Sequence, residues 1–182
     1  MGDYAWVLSK IGVKGDGECI ISSIQAALRH KGLDGAADKL KREKVLQKLR
    51  AKAESDATMR SALITELLED KNFCRQDRFE GTRQEWHQTL SEESVPAVPP
   101  EVWEFMHHKS SYWLDTAAII TIFSILEDDD ISCEVWQCSK DNDRRVFSVL
   151  KSAVQKTHQI DIARNAQEVH YHALTRMNGI PA

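Results

Sequence analysis

The sequence predicts an α+β protein, and three observations carry that expectation. Apolar residues recur at helical spacing through most of the chain, strict alternation appears only after residue 130, and 182 residues suffice for one sizeable core. No internal repeat or low-complexity linker offers a boundary, so residues 1–182 are read as a single domain. Charged residues make up 29% and apolar ones 42%, the balance of a globular protein, and a net charge of −4 argues against a general nucleic-acid binder. No run approaches the ~18 apolar residues of a membrane span. The start, M-G-D-Y-A-W, has no basic-then-apolar leader, and Trp6 stands where a myristoylation signal has Ser or Thr. With four scattered cysteines, at 19, 74, 133 and 138, the expectation is a monomeric cytoplasmic protein with reduced thiols and no membrane partner.

The elements follow in order. Tyr4 to Ile11 is a short apolar opening. A helix is expected from about Cys19 to His30, with Ile20, Ile21, Ile24, Ala27 and Leu28 on its buried stripe and Lys31-Gly32 as its stop. Ala36 to Ala53 reads as one helix whose Lys39, Lys41, Arg42, Lys44, Lys48, Arg50 and Lys52 form a solvated basic face rather than a phosphate site. Ser55-Asp56 starts a third helix with Met59, Leu63, Leu67 and Leu68 buried. Phe73 to Pro100 weakens into short pieces, with Trp86 in a helical turn. Pro100 opens a helix that ends near His107 and His108, and Ser110 or Ser111 caps a nearly all-apolar helix from about Trp113 to Leu126. Glu127 to Asp130 is a solvated turn. Strands are expected at Ile131–Trp136, Arg145–Leu150, Gln159–Arg164 and Val169–Leu174, with a turn at Asp141–Asp143 and a frayed tail from Asn178.

The chemistry centres on K-G-D-G-E-C-I-I-S-S-I-Q-A-A-L, residues 14–28. Cys19 stands at a helix N-terminus, where unpaired N–H groups and the helix dipole favour the thiolate, and in such places a Cys pKa falls from about 8.5 into the range of roughly 3.5 to 7.5. Gly15 and Gly17 permit a tight loop whose backbone N–H groups, from residue 16 to 19, would converge on an oxyanion. Taken alone, such a turn more often precedes a Cys that is a small buried hydrophobe. Near the other end, V-H-Y-H-A-L places His170 and His172 on one strand face and Val169, Tyr171 and Ala173 on the other.

Three segments together carry a resemblance. G-D-G-E-C-I-I-S-S-I resembles the Gly-Asp-Gly-Asn-Cys-Leu-Phe signature of the ovarian-tumour (OTU) family of deubiquitinating cysteine proteases; Y-W-L-D-T-A-A-I-I-T-I-F-S-I-L with I-S-C-E-V-W is similar to that family's Trp-led central helix and following strand; V-H-Y-H-A-L resembles its closing His strand. The compact length is similar to that of viral members. The resemblance implies a papain-like fold with a small, mostly antiparallel sheet packed between helices, and no cofactor. It implies Cys19 as nucleophile, His170 as general base and then acid, Asp16 as a supporting carboxylate, Gly15, Gly17 and Glu18 as the oxyanion loop, and Trp113 as structural support for the His strand. The implied partner is ubiquitin or a ubiquitin-like modifier, in the host cytoplasm if the source is a virus or a bacterial effector.

Two positions depart from the pattern. The residue two after the base is commonly Asn or Asp, and here it is His172, which lacks the charge that stabilises an imidazolium. Glu18 replaces the Asn before the nucleophile, and a negative side chain turned toward Cys19 opposes the thiolate. These changes keep open a weak or inactive module that binds ubiquitin; a separate alternative is a thiol protease acting on a host chain or on its own viral polyprotein. A zinc site from His170, His172, Cys133 and Cys138 is rejected, since C-x4-C is a loose spacing and no C-x2-C is present.

Overall fold

Helix α1, Cys19–His30, forms where Ile20, Ile24, Ala27 and Leu28 recur on one side, and all four are buried. Its end is set by Gly32, whose φ of +74° is the left-handed region that costs glycine little. There the Leu33 N–H reaches the Leu28 carbonyl at 2.9 Å and the Gly32 N–H the Arg29 carbonyl at 2.9 Å, a Schellman pair that turns the chain into α2, Asp34–Lys39. Gln25 secures the turn by donating from Nε2 to the Leu40 carbonyl, 2.8 Å.

This computed structural model describes residues 17–91, 93–138, 146–164 and 170–174. The apolar opening at Tyr4–Ile11, the Asp141–Asp143 turn, Val169 and the tail from Asn178 lie outside the described residues. The chain forms two compact units, residues 1–41 with 122–182, and residues 42–121.

The first unit holds a four-stranded sheet in the order β2-β1-β3-β4. Its strands are β1 (Ile131–Cys138), β2 (Val146–Lys151), β3 (His158–Arg164) and β4 (Tyr171–Leu174). β1 runs antiparallel to β2 and parallel to β3, and β3 antiparallel to β4. The class is α+β and the sheet is small and mostly antiparallel, as expected, with one parallel ladder at its centre. Period-two alternation decides its faces. Cys133, Val135, Ile160, Ile162 and Ala173 share one face and are all buried, and α1 packs against β3 and β4. Asp130, at φ +59°, launches β1; its carbonyl takes the His158 N–H at 3.2 Å, which starts β3 alongside.

The second unit is helical among the described residues: α3 (Arg42–Ser55), α4 (Ala57–Glu69), α5 (Lys71–Cys74), a 3₁₀ turn (Asp77–Phe79), α6 (Glu80–Thr89), α7 (Pro100–His107) and the start of α8 (Thr116–Glu127). Three expectations are corrected here. The single helix from Ala36 to Ala53 is two, α2 and α3, because Leu40 turns extended at ψ +99° and its buried side chain ends the first. The weak stretch after Phe73 is largely helical, since Phe73, Phe79 and Trp86 bury together with Phe105, rings 4.9 to 5.7 Å apart, and tertiary packing overrides a poor local pattern. Helix α8 starts at Thr116, with the Asp115 carbonyl accepting the Ile119 N–H at 3.0 Å, rather than at Trp113 under a serine cap. The Asp56 cap of α4 is as expected: its carboxylate accepts from Thr58 N–H, 2.8 Å, and Met59 N–H, 3.3 Å.

Candidate active site

Gly17, at φ +77° and buried, bends the chain into α1. Glu18 is the flanking residue: its carbonyl accepts the Ser22 N–H at 2.9 Å, the first bond of the helix, and its side chain makes no cap bond. Cys19 is therefore the first helical residue, and only 3% of it is exposed. The Ser23 hydroxyl donates to the Cys19 carbonyl at 2.5 Å. The expected placement of a thiol at a helix start after a glycine turn is thus met. Gly15 and Asp16 lie outside the described residues.

His170 directly precedes β4 and His172 lies within it, both half-buried. Their rings meet edge to face, centroids 4.3 Å apart and planes at 83°. Tyr171 and Ala173, between and beyond them, are buried, which is the split of faces that alternation predicts. The helix that begins with Cys19 is packed against the strand that begins beside His170. Trp113 is half-buried in the second unit, between the buried Tyr112 and Leu114 and ahead of α8.

Cys133 stands on the apolar face of the sheet. The β1–β3 and β3–β4 registers put Ala163, Trp136 and His172 on the opposite face, so Cys133 and His172 do not converge on one ion. Burial, with Asp161 and Glu134 near, holds the Cys133 thiol well above its ordinary range, a protonated core side chain.

Sequence reasoning missed the polar cluster on that second face. Asp161 is 2% exposed; its Oδ1 accepts from Trp136 Nε1 at 2.9 Å and from Gln159 Nε2 at 3.4 Å, and Gln159 also donates to Glu134 Oε2 at 3.3 Å. The signal was the alternation Q-I-D-I-A-R, which assigned Asp161 to the polar side without revealing that the side is covered there.

No protein-family profile matches the sequence, and no curated protein matches it. Solved structures similar to the chain include the OTUD1 OTU domain, with a TM-score of 0.49 and 10% identity over 91% of this chain and 84% of that one. Another is the viral OTU domain protease from Dera Ghazi Khan virus, at 0.49 and 12% over 94% and 82%. The Hazara virus OTU bound to ubiquitin follows at 0.45 and 13% over 94% and 83%.

Proposed function

We propose that this chain is an OTU-type cysteine isopeptidase that removes ubiquitin or a ubiquitin-like modifier from conjugates, with residues 1–182 acting as one protease domain. The observation that carries the reading is the docking of the Cys19 helix against the strand headed by His170. The substrate class rests on the resemblance of residues 15–24 and 169–174 to the family's motifs. His170 takes the Cys19 proton, and the thiolate attacks the carbonyl carbon of the modifier's C-terminal glycine. Backbone N–H groups at Gly17 to Cys19, set by the positive φ of Gly17, receive the oxyanion, with Gly15 and Asp16 shaping the loop before them. His170 then gives its proton to the departing lysine amine, leaving a thioester that water, deprotonated by the same imidazole, hydrolyses. Trp113 serves as structural support.

Cleavage of isopeptide-linked diubiquitin under reducing conditions tests this. The wild-type chain releases monomer, Cys19→Ala releases none, and His170→Gln loses at least about a hundredfold in kcat. Full activity in Cys19→Ala would overturn the assignment. A second reading, a silent module that binds ubiquitin without cutting it, draws on Glu18, whose side chain does not cap α1 although it sits beside the nucleophile. Saturable binding of ubiquitin with no turnover of any linkage selects that reading.

A further inference from the structure

A cavity of about 290 Å³ opens in the first unit where β1 and β3 begin and β2 ends. Ser132, Glu134, Lys151, Ser152, Gln155 and Gln159 line it. Small-molecule sites span roughly 300–1,000 Å³, so an occupant here is small. The two hydroxyls are already engaged: Ser152 Oγ accepts the Cys133 N–H at 2.9 Å, and Ser132 Oγ donates to the His158 carbonyl at 3.3 Å. The charged groups are not. Glu134 and Lys151 are direct partners across the β1–β2 ladder, where opposite charges ordinarily attract, yet no ion pair joins them. Glu134 uses Oε2, which accepts from Gln159 Nε2 at 3.3 Å; Glu134 Oε1, Gln159 Oε1 and Lys151 Nζ have no hydrogen-bond partner among the described residues. Asp161, 2% exposed and the register partner of Glu134 on β3, adds a second carboxylate on that side. The cavity therefore offers acceptors from β1 and β3 and a cation from β2, its neighbour strand.

We propose that this cavity binds a free α-amino acid, its ammonium donating to Glu134 Oε1 and Gln159 Oε1 and its carboxylate accepting from Lys151 Nζ. The proposal does not rest on the protease reading. A ligand with one charge fits worse, since a cation meets Lys151 and an anion meets Glu134 and Asp161. One that carries both signs a single carbon apart matches two opposite charges on adjacent strands, whose Cβ atoms lie about 4.5–5.5 Å apart, and makes charge-assisted bonds at each end. Direct pairing of Glu134 with the exposed Lys151 is weak competition. Ala153 and Cys133 are the apolar residues of the lining, and Cys133 is 1% exposed, so the walls grip a small or polar side chain such as that of serine or glutamine. The N-terminus of a peptide shares the ammonium, but only the free amino acid brings a carboxylate to Lys151.

The test is an NMR titration of the full chain, following backbone amide shifts as L-serine is added. Saturable shifts are expected at Glu134, Lys151, Ser152 and Gln159, with a Kd on the order of 1 mM for so small a ligand. Serinamide and a peptide amide beginning with serine, which keep the ammonium and lack the carboxylate, should bind about tenfold more weakly, and N-acetylserine at least about tenfold more weakly. Glu134→Gln should weaken serine about tenfold or more. Lys151→Met should weaken serine about tenfold and leave serinamide unchanged. Because Lys151 is exposed, that variant keeps the idea open to refutation if Glu134→Gln disturbs the sheet. The absence of saturable shifts up to about 50 mM serine overturns the proposal, as does equal affinity for serine and serinamide, or serine binding unaltered in folded Lys151→Met.

Discussion

Arg42 shows what a single residue does that its type does not advertise. It belongs to the basic stripe expected to be solvated, and Lys41 and Lys44 beside it are exposed, yet Arg42 is buried. Its guanidinium donates to the carbonyls of Met106 (2.7 Å from Nη2), His107 (3.1 Å from Nε) and Tyr112 (2.6 Å from Nη2). Met106 and His107 are the last residues of α7, whose unpaired carbonyls and negative dipole end favour a cation. Arg42→Met should therefore lower unfolding stability by about 2–4 kcal/mol, because several charge-assisted bonds vanish together and leave buried carbonyls unserved. Urea denaturation with an unchanged m-value checks this, whereas Lys44→Met should stay within about 0.5 kcal/mol. Composition marked Arg42 as basic; only the tertiary course of α7 says which base is buried. Cys19, His170 and His172 were legible for the opposite reason, since helix start and strand alternation are local rules.

At the scale of elements, α8 depends on a carboxylate from another helix. Glu66 of α4 accepts the Ala117 N–H at 2.8 Å, so one orphan donor of the α8 N-terminus is served from outside. Its second oxygen, Oε2, is buried with no hydrogen-bond partner among the described residues. Desolvation, with Asp115 and Glu69 adding repulsion, pushes the Glu66 carboxyl up to about 7 despite the bond to Ala117. A raised carboxyl binds its proton more tightly in the folded than in the unfolded state. Below about 4.5 both states are protonated and nothing is lost; as pH climbs to about 7 the unfolded chain ionises first, and stability on the order of 2–3 kcal/mol is forfeited. Glu66→Gln keeps an acceptor for Ala117 and removes that loss. Its melting temperature should exceed the wild-type value at pH 8 and match it at pH 4. Equal melting temperatures at both would show that Glu66 ionises freely. The apolar run at 116–126 made α8 legible, but its first residue depends on Glu66 and Asp115, which no period reveals.

Across the whole molecule, the pattern of helices first and strands last is legible because each periodicity is continuous over several residues. The sheet order was not, since pairing β1 parallel to β3 beyond the β1–β2 ladder is decided by long-range contacts. The division into two units was equally hidden, because Lys41 and Arg42, where the second begins, show no break in composition. Nor is any helix among the described residues long and apolar enough to cross a membrane. The candidate site draws on both ends of the first unit: α1 near the start of the chain and β4 near its end. One competing thiol is well suited as an internal control, since Cys74 is exposed while Cys133 is buried. Ubiquitin carrying a C-terminal electrophile, reacted with the wild-type chain and mapped by peptide mass spectrometry, should give one adduct, on the peptide containing Cys19, formed far more slowly in His170→Gln; an adduct on Cys74 or Cys138 instead, or none at all, would overturn Cys19 as the nucleophile.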